Sequence, residues 1–290
     1  MRTFITLFTT SAALQGHFTV TAAQPVRYTV SEVCNLLHPS NPTLLQGLVP
    51  GRHPPELAPP PAGPLRRIIF VDDNVLQLYG DALHKVGMGC MFLMQCVEEK
   101  STCTPFFPQY FESNCVEHCI VGLCTNEATK TVDLLMDALQ AMDAFKLNRR
   151  RDPVIAVGGG VCLDVCGFAA ALYRRGTPII KVGTVGKITR GALHGCLVQV
   201  PTTLMGVVDA SVGVKNAINA FDAKNKLGTY TPPVATLIDT DFLHTLPARH
   251  LANGAAEIVK MAMVKDGELF DLLHTHHATL MVTRFQVGAP

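Results

Sequence analysis

The chain has 290 residues, 48% hydrophobic and 16% charged, so it can bury a sizeable core and reads as one or two globular domains rather than a disordered chain. Its formal net charge of +1 gives no field for nucleic acid or an anionic membrane surface. No apolar run approaches the roughly 20 residues needed to span a bilayer, so any basic group that matters acts locally, in a pocket.

The start, Met1-Arg2-Thr3-Phe4-Ile5-Thr6-Leu7-Phe8, resembles a poor signal or transit segment. Threonines interrupt its apolar core and no clear cleavage site follows, which favours a cytoplasmic protein with a plastid as the alternative. Residues 1–64 read as an N-terminal extension with a strand and a loop or linker from Gly47 to Pro64, where Pro59-Pro60-Pro61 excludes helix and central strand. A strand is expected at Arg67–Val71, followed by Asp72-Asp73-Asn74 capping a helix that starts near Val75. The short side chains of Asp72 and Asn74 suit ribose hydroxyls or a plain helix cap equally well. From Gly87 to about Asn114 the apolar period is lost. Six cysteines gather around this stretch, and Cys115, His118, Cys119 and Cys124 could be drawn as a zinc site, but their spacing is not that of a zinc knuckle and free cysteines are expected.

Helical spacing returns at Val132, Leu135, Leu139 and Met142, which predicts a helix from about Glu127 to Leu147. The apolar run Val154–Val157 then leads into Gly158-Gly159-Gly160 and the apolar residues up to Tyr173: strand, glycine turn, helix. Without a Cβ in the way, the backbone of such a turn can approach an anion, and the helix N-terminus points free amides and a positive dipole end at it, so a pyrophosphate is the natural occupant, with a tight βα turn that holds no ligand as the equal alternative. A further apolar run follows at Pro178–Val182. Strands alternating with helices predict a parallel sheet covered on both faces, with ligands at the carboxyl ends of its strands. Beyond it, Pro201–Lys215 carries Asp209 and Lys215, and Lys224-Asn225-Lys226 follows. Together with Arg175, these cations look placed to hold a phosphate-bearing substrate. From Pro247 the chain turns helical, and Glu257 and Lys260 share one helix face amid apolar neighbours.

Read in order, Val154–Asp164, Gly167-Phe168-Ala169-Ala170, Tyr173-Arg174-Arg175-Gly176, Val200–Leu204, Asp209–Lys215, Lys224–Gly228, Leu246–Arg249 and Asn253–Lys260 resemble the sugar phosphate cyclase superfamily, whose best-known member is 3-dehydroquinate synthase. The resemblance covers roughly residues 65–280. It implies a doubly wound, Rossmann-like NAD-binding α/β domain over 65–246, then the start of an α-helical metal and substrate domain over 247–290. Gly213-Val214-Lys215, where 3-dehydroquinate synthases usually read Gly-Gly-Lys, looks closer to the sedoheptulose 7-phosphate cyclases. Among these, Val161–Gly167 and Lys226–Tyr230 look most similar to desmethyl-4-deoxygadusol synthase, with 2-epi-5-epi-valiolone synthase as the rival.

What the resemblance implies is a phosphate-eliminating lyase. NAD oxidises an alcohol, phosphate leaves, the ketone is reduced, the ring opens and an aldol step closes the carbocycle, with a divalent metal, zinc in the family, polarising the oxidised oxygen. By the same resemblance Asp72, Asn74, Glu127, Lys130, Gly159, Gly160, Val161, Cys162, Leu163, Asp164, Thr202, Thr203, Phe242 and Thr245 would line the NAD site. Arg175, Asp209, Lys215, Lys224, Asn225 and Lys260 would hold phosphate and substrate hydroxyls, and Glu257 would be a metal ligand. The family is commonly homodimeric. The sequence departs from it in three places. The family's remaining metal ligands, two histidines well beyond Glu257, have no counterpart before Pro290, and His274, His276 and His277 follow too closely to replace them, so the chain reads as C-terminally truncated. Residues 87–114 and 183–199 read as insertions of the kind a retained intron leaves. A catalytically inactive NAD-binding fragment therefore stands beside the enzyme reading.

Overall fold

The computed structural model describes residues 28–38, 40–46, 66–80, 113–114, 116–148, 152–176 and 197–285. Met1–Phe8, the Pro-rich stretch, the apolar run at Pro178–Val182, Cys90, Cys96, Cys103, Cys115 and nearly all of the two suspected insertions lie outside these residues. In chain order the elements are β1 (Thr29–Glu32), α1 (Thr43–Gln46), β2 (Arg66–Asp72), α2 (Asp73–Gly80), β3 (Glu117–Leu123), α3 (Val132–Ala144), β4 (Val154–Gly158) and α4 (Gly160–Leu172). They continue with β5 (Leu197–Pro201), β6 (Lys215–Ala220), β7 (Ala223–Tyr230), β8 (Ala235–Ile238), α5 (Ala248–Lys265) and α6 (Gly267–Leu280).

Six strands form one parallel sheet in the order β1-β8-β5-β4-β2-β3, and β6 and β7 form a separate antiparallel hairpin. β4 is apolar along its whole length, and β2 through Ile68–Val71, because both faces are covered. Ile69, Val71, Ile155 and Val157 pack with Leu36, Leu37 and Leu44 of the N-terminal stretch. Their alternate neighbours Ile68, Phe70, Val154 and Ala156 pack with α3 and α4, through Leu135, Met142, Val165 and Ala169. β1 pairs in register with β8, from Thr29 opposite Ala235 to Glu32 opposite Ile238, so the sheet draws strands from both sides of the Pro-rich stretch. At the amino ends of the strands the Arg66 guanidinium lies 4.3 Å over the Phe145 ring, pairs with Glu117 at 2.8 Å and donates to the Phe145 carbonyl at 2.9 Å.

Two boundaries differ from the sequence expectation. The helix expected from Glu127 begins only at Val132, because the Asn126 Oδ1 accepts from the amides of Ala128 and Thr129 at 2.9 and 3.1 Å and closes a turn in place of the first helical residues. Residues 197–199, placed in the second insertion, belong to β5, where Leu197 stands opposite Val154 and Gln199 opposite Ala156. Of the described residues, no helix is long and apolar enough to cross a membrane.

The topology fixes where a ligand can enter. From β2 the sheet grows outward to β3, and from β4 it grows the other way to β5 and β8. The carboxyl ends of β2 and β4 therefore flank the switch point of the sheet, the crevice in which doubly wound folds bind ligands.

Candidate functional site

Asp72 closes β2 and Gly158 closes β4, one on each side of this crevice. A Cβ on Gly158 would lie 3.0 Å from the Cβ of Asp72 and 2.7 Å from that of Cys162, so only glycine lets the two strand ends and the first turn of α4 come this close. The Asp72 carboxylate is nearly buried. Its Oδ1 accepts from the backbone and side-chain nitrogens of Asn74, both at 2.9 Å, and its Oδ2 accepts from the hydroxyl of Thr125. Beside it, burial and the Asp72 charge push the Asp73 carboxyl up from its ordinary range. Asp72 and Asn74 thus form the cap of α2 and stand at the crevice.

α4 enters the crevice with its N-terminus. Gly159 has ordinary extended dihedrals, φ −80° and ψ −178°, and no side chain caps the helix, so the first-turn amides are open toward the crevice. A Cβ on Gly159 would come within 3.1 Å of the Thr203 methyl. The amide of Thr202 continues the β4–β5 ladder by donating to the Gly158 carbonyl at 3.0 Å, and the Thr203 hydroxyl accepts from the Gly206 amide at 3.0 Å. Cys162 and Leu163 are fully buried. The Cys162 thiol is held well above its ordinary range by its hydrogen bond with Cys166 and by burial, which keeps it protonated and unreactive.

The charged part of the site hangs from Lys130. Its ammonium donates to Asp164 at 2.6 Å and to the Asn225 side-chain carbonyl at 2.8 Å, with its side chain 6% exposed and that of Asp164 21%. Glu127 accepts from the Asn219 amide at 2.9 Å and lies 3.4 Å from the Lys224 ammonium. That hydrogen bond, then the charges of Lys130 and Lys224, hold its carboxyl below the ordinary range. The β6–β7 hairpin therefore lies over the first turn of α4 and brings Lys224 and Asn225 to the residues that Glu127 and Lys130 supply. Asn219 and Thr125 are missing from the sequence expectation; nothing but their polar character would have marked them.

Other expected residues are placed elsewhere. Asp209 is exposed on the turn Gly206–Ala210, whose Ala210 faces Gly160, and Lys215 opens β6 with its side chain in solvent. Phe242 is buried in the core, which leaves its backbone for a ligand, and the Thr245 hydroxyl donates to the Phe242 carbonyl at 3.4 Å. Arg175 follows α4, whose 13 residues run about 20 Å from the glycine turn toward the amino ends of the strands, so it stands apart from the crevice within this chain. Glu257 lies on α5, which Gly254 seats against Leu204: a Cβ there would lie 2.5 Å from that of Leu204. The Glu257 carboxylate is paired with the ammonium of Lys260 one turn on.

The family described as 3-dehydroquinate synthase N-terminal matches residues 120–188 and 186–253, two pieces that meet inside the stretch read as an insertion. The 2-epi-5-epi-valiolone synthase of Streptomyces hygroscopicus subsp. jinggangensis is 38% identical over 269 residues, 93% of this chain and 52% of that protein. Its solved structure, with NAD+ and Zn2+ bound, superposes with a TM-score of 0.69 and covers 92% of this chain and 58% of that one. This chain is a homologue of these sugar phosphate cyclases, similar to one of them over most of its own length. The demethyl-4-deoxygadusol synthase of Trichormus variabilis is 32% identical over 76% of this homologue and 43% of its own length, so the chain spans about half the length of the curated relatives it matches.

In this homologue a metal does not fit the described residues. Zinc takes at least three protein ligands in a catalytic site. Among the described residues no three His, Cys, Asp or Glu side chains converge, Glu257 is held by Lys260, and His274 and His277 stand on α6 with ring centroids 6.2 Å apart. Cys119 and Cys124 are in no disulfide among the described residues. Purified in the presence of zinc and desalted, the 290-residue chain is expected to retain less than about 0.1 zinc per molecule by elemental analysis. A stoichiometric, chelator-resistant ion would overturn this.

Proposed function

We propose that this chain is the nucleotide-binding part of a sugar phosphate cyclase that acts on sedoheptulose 7-phosphate, with NAD+ held at the β2/β4 crevice. One observation carries the reading. The glycine turn, the uncapped start of α4 and the Lys130–Asp164–Asn225 cluster meet at the switch point of a chain similar over most of its length to a valiolone synthase. The higher identity to 2-epi-5-epi-valiolone synthase than to demethyl-4-deoxygadusol synthase favours a valiolone-type cyclitol as product over the deoxygadusol expected from Val161–Gly167 and Lys226–Tyr230.

The residues present fit a dinucleotide. The α4 amides at Gly160 and Val161 would receive the pyrophosphate, Gly159 supplies the space for it, and Asp72 with Asn74 stands where the ribose of the adenosine half would lie. When bound, NAD+ supplies a hydride acceptor that can return the hydride to the same carbon. Lys130 and Asp164, locked together, would present fixed charge beside the nicotinamide half without reorganising. Lys215, Lys224 and Lys226 offer three ammonium groups to a phosphate dianion and to the hydroxyls near it.

Calorimetry with NAD+, followed by a phosphate-release assay with sedoheptulose 7-phosphate, tests the proposal. NAD+ binding in the micromolar range, at most about −8 kcal/mol, is expected. Phosphate release from the substrate of 3-dehydroquinate synthase instead would transfer the chain to that activity. NAD+ binding without release would leave a catalytically inactive nucleotide-binding fragment, and a chain that binds no NAD+ would overturn the reading.

A further inference from the structure

The hairpin that brings Asn225 to Lys130 is fixed at two points, and only the one at its tip belongs to the site. There the Asn219 amide donates to the Lys130 carbonyl at 2.8 Å, and the Asn225 amide donates to the Asn219 Oδ1 at 2.9 Å. At the open end of the hairpin stands Asn216, 2% exposed. Its Nδ2 donates to the carbonyls of Val214 and Thr231 at 3.3 and 3.1 Å, joining the two strands where they diverge. The rest of the side chain fills a notch in α4. A Cβ on Gly167 would lie 2.6 Å from the Asn216 Cγ and closer still to Oδ1, which is buried with no hydrogen-bond partner among the described residues. On the other side Gly228 of β7 lets the Asn216–Ala217 backbone approach, since a Cβ there would lie 3.0 Å from the Ala217 Cα.

A buried amide with an orphaned oxygen is costly, and alanine at Gly167 would make the better helix. Both features make sense if the contact is kept for where it places the hairpin. We infer that Asn216 is a positioning residue: seated between Gly167 and Gly228, it sets the hairpin along α4 and so holds Asn225 against the Lys130 ammonium. The inference rests on the proposed nucleotide site only for its effect on NAD+.

The test follows the Lys130 amine directly, by acetylation of the folded 290-residue chain and peptide mass mapping, with exposed Lys265 as internal reference. In the wild type Lys130 is expected to react at least about tenfold more slowly than Lys265. Asn216→Asp keeps the volume but removes both donors and sets a carboxylate against two carbonyls; Gly167→Ala fills the notch. Each is expected to raise the relative rate at Lys130 about tenfold while the rate at the reference changes little, whatever either substitution costs in unfolding temperature. A contact serving stability alone would instead lower the unfolding temperature with the Lys130 rate unmoved. Combined with Asn216→Ala, Gly167→Ala should have no further effect, because the side chain it strikes is gone. Unchanged Lys130 rates in Asn216→Asp, or additive effects of Gly167→Ala and Asn216→Ala, would overturn the inference. NAD+ affinity measured on the same proteins separates the two claims. A wild type that binds no NAD+ sinks the nucleotide reading, while the acetylation rates still decide the role of Asn216.

Discussion

Gly159→Asp is expected to weaken NAD+ binding by at least about a hundredfold while leaving the unfolding temperature within a few degrees of the wild type. The backbone at Gly159 is extended, with φ −80°, so any residue can adopt it and glycine serves there by lacking a side chain. Two consequences of the substitution oppose each other in stability. An aspartate before the first turn is a favoured helix cap, which contributes about 1 kcal/mol to α4, while its Cβ crowds the Thr203 methyl at 3.1 Å and costs a similar amount. For a dinucleotide the two effects act together. The carboxylate takes the amides that a pyrophosphate would use and sets like charge against it. Gly159→Ala separates the terms: it crowds Thr203 equally but carries no charge, and a loss of only about threefold to tenfold is expected. Calorimetry and thermal unfolding on the three proteins check this, and equal losses for alanine and aspartate would mean that space alone, not the helix terminus, governs binding.

The parts of this fold legible in the sequence are those in which one local signal settles the conformation. β2 and β4 are short apolar runs, buried on both faces, and the glycine turn follows β4 directly, so strand, turn and helix were written in adjacent residues. The chain, expected to turn helical from Pro247, does so in α5 from Ala248 to Lys265. The hairpin was illegible because its turn lacks the usual residues. Phe221 and Asp222 have φ of 53° and 56°, a conformation hairpins generally fill with Asn-Gly or Asp-Gly, and their neighbours are alanines. Tertiary contacts, with Asn219 on Glu127 and Asn216 in the α4 notch, hold what local preference does not. The same limit hid the start of α3, where one side chain, Asn126, turns the backbone before the apolar period takes hold. Arg175 shows a different limit. A motif order carried by resemblance groups residues along the chain, but the length of α4 separates Arg175 from the glycine turn. Glu127, Lys130, Asp164 and Asn225, spread over almost a hundred residues, do come together, because the turn, the helix N-terminus and the hairpin tip stack at one edge of the sheet.

That cluster carries the second large effect: Lys130→Met is expected to cost about 3 kcal/mol of folding stability and to reduce NAD+ affinity. The Lys130 side chain is 6% exposed and its ammonium bonds Asp164 and Asn225 together, so methionine, though close in volume, takes the ammonium away from a partly buried carboxylate. Removing one member of a buried ion pair makes the single substitution severe. Removing the charge as well should therefore help: Lys130→Met with Asp164→Asn is expected to recover more than half of the stability lost by Lys130→Met alone, with NAD+ affinity staying low. Urea unfolding midpoints at neutral pH, read with unchanged slopes, give the stability terms. Two independent, additive losses would show that Lys130 and Asp164 do not act as a pair in solution. Recovery of stability without recovery of NAD+ affinity is what separates a charge kept for binding from one kept for folding.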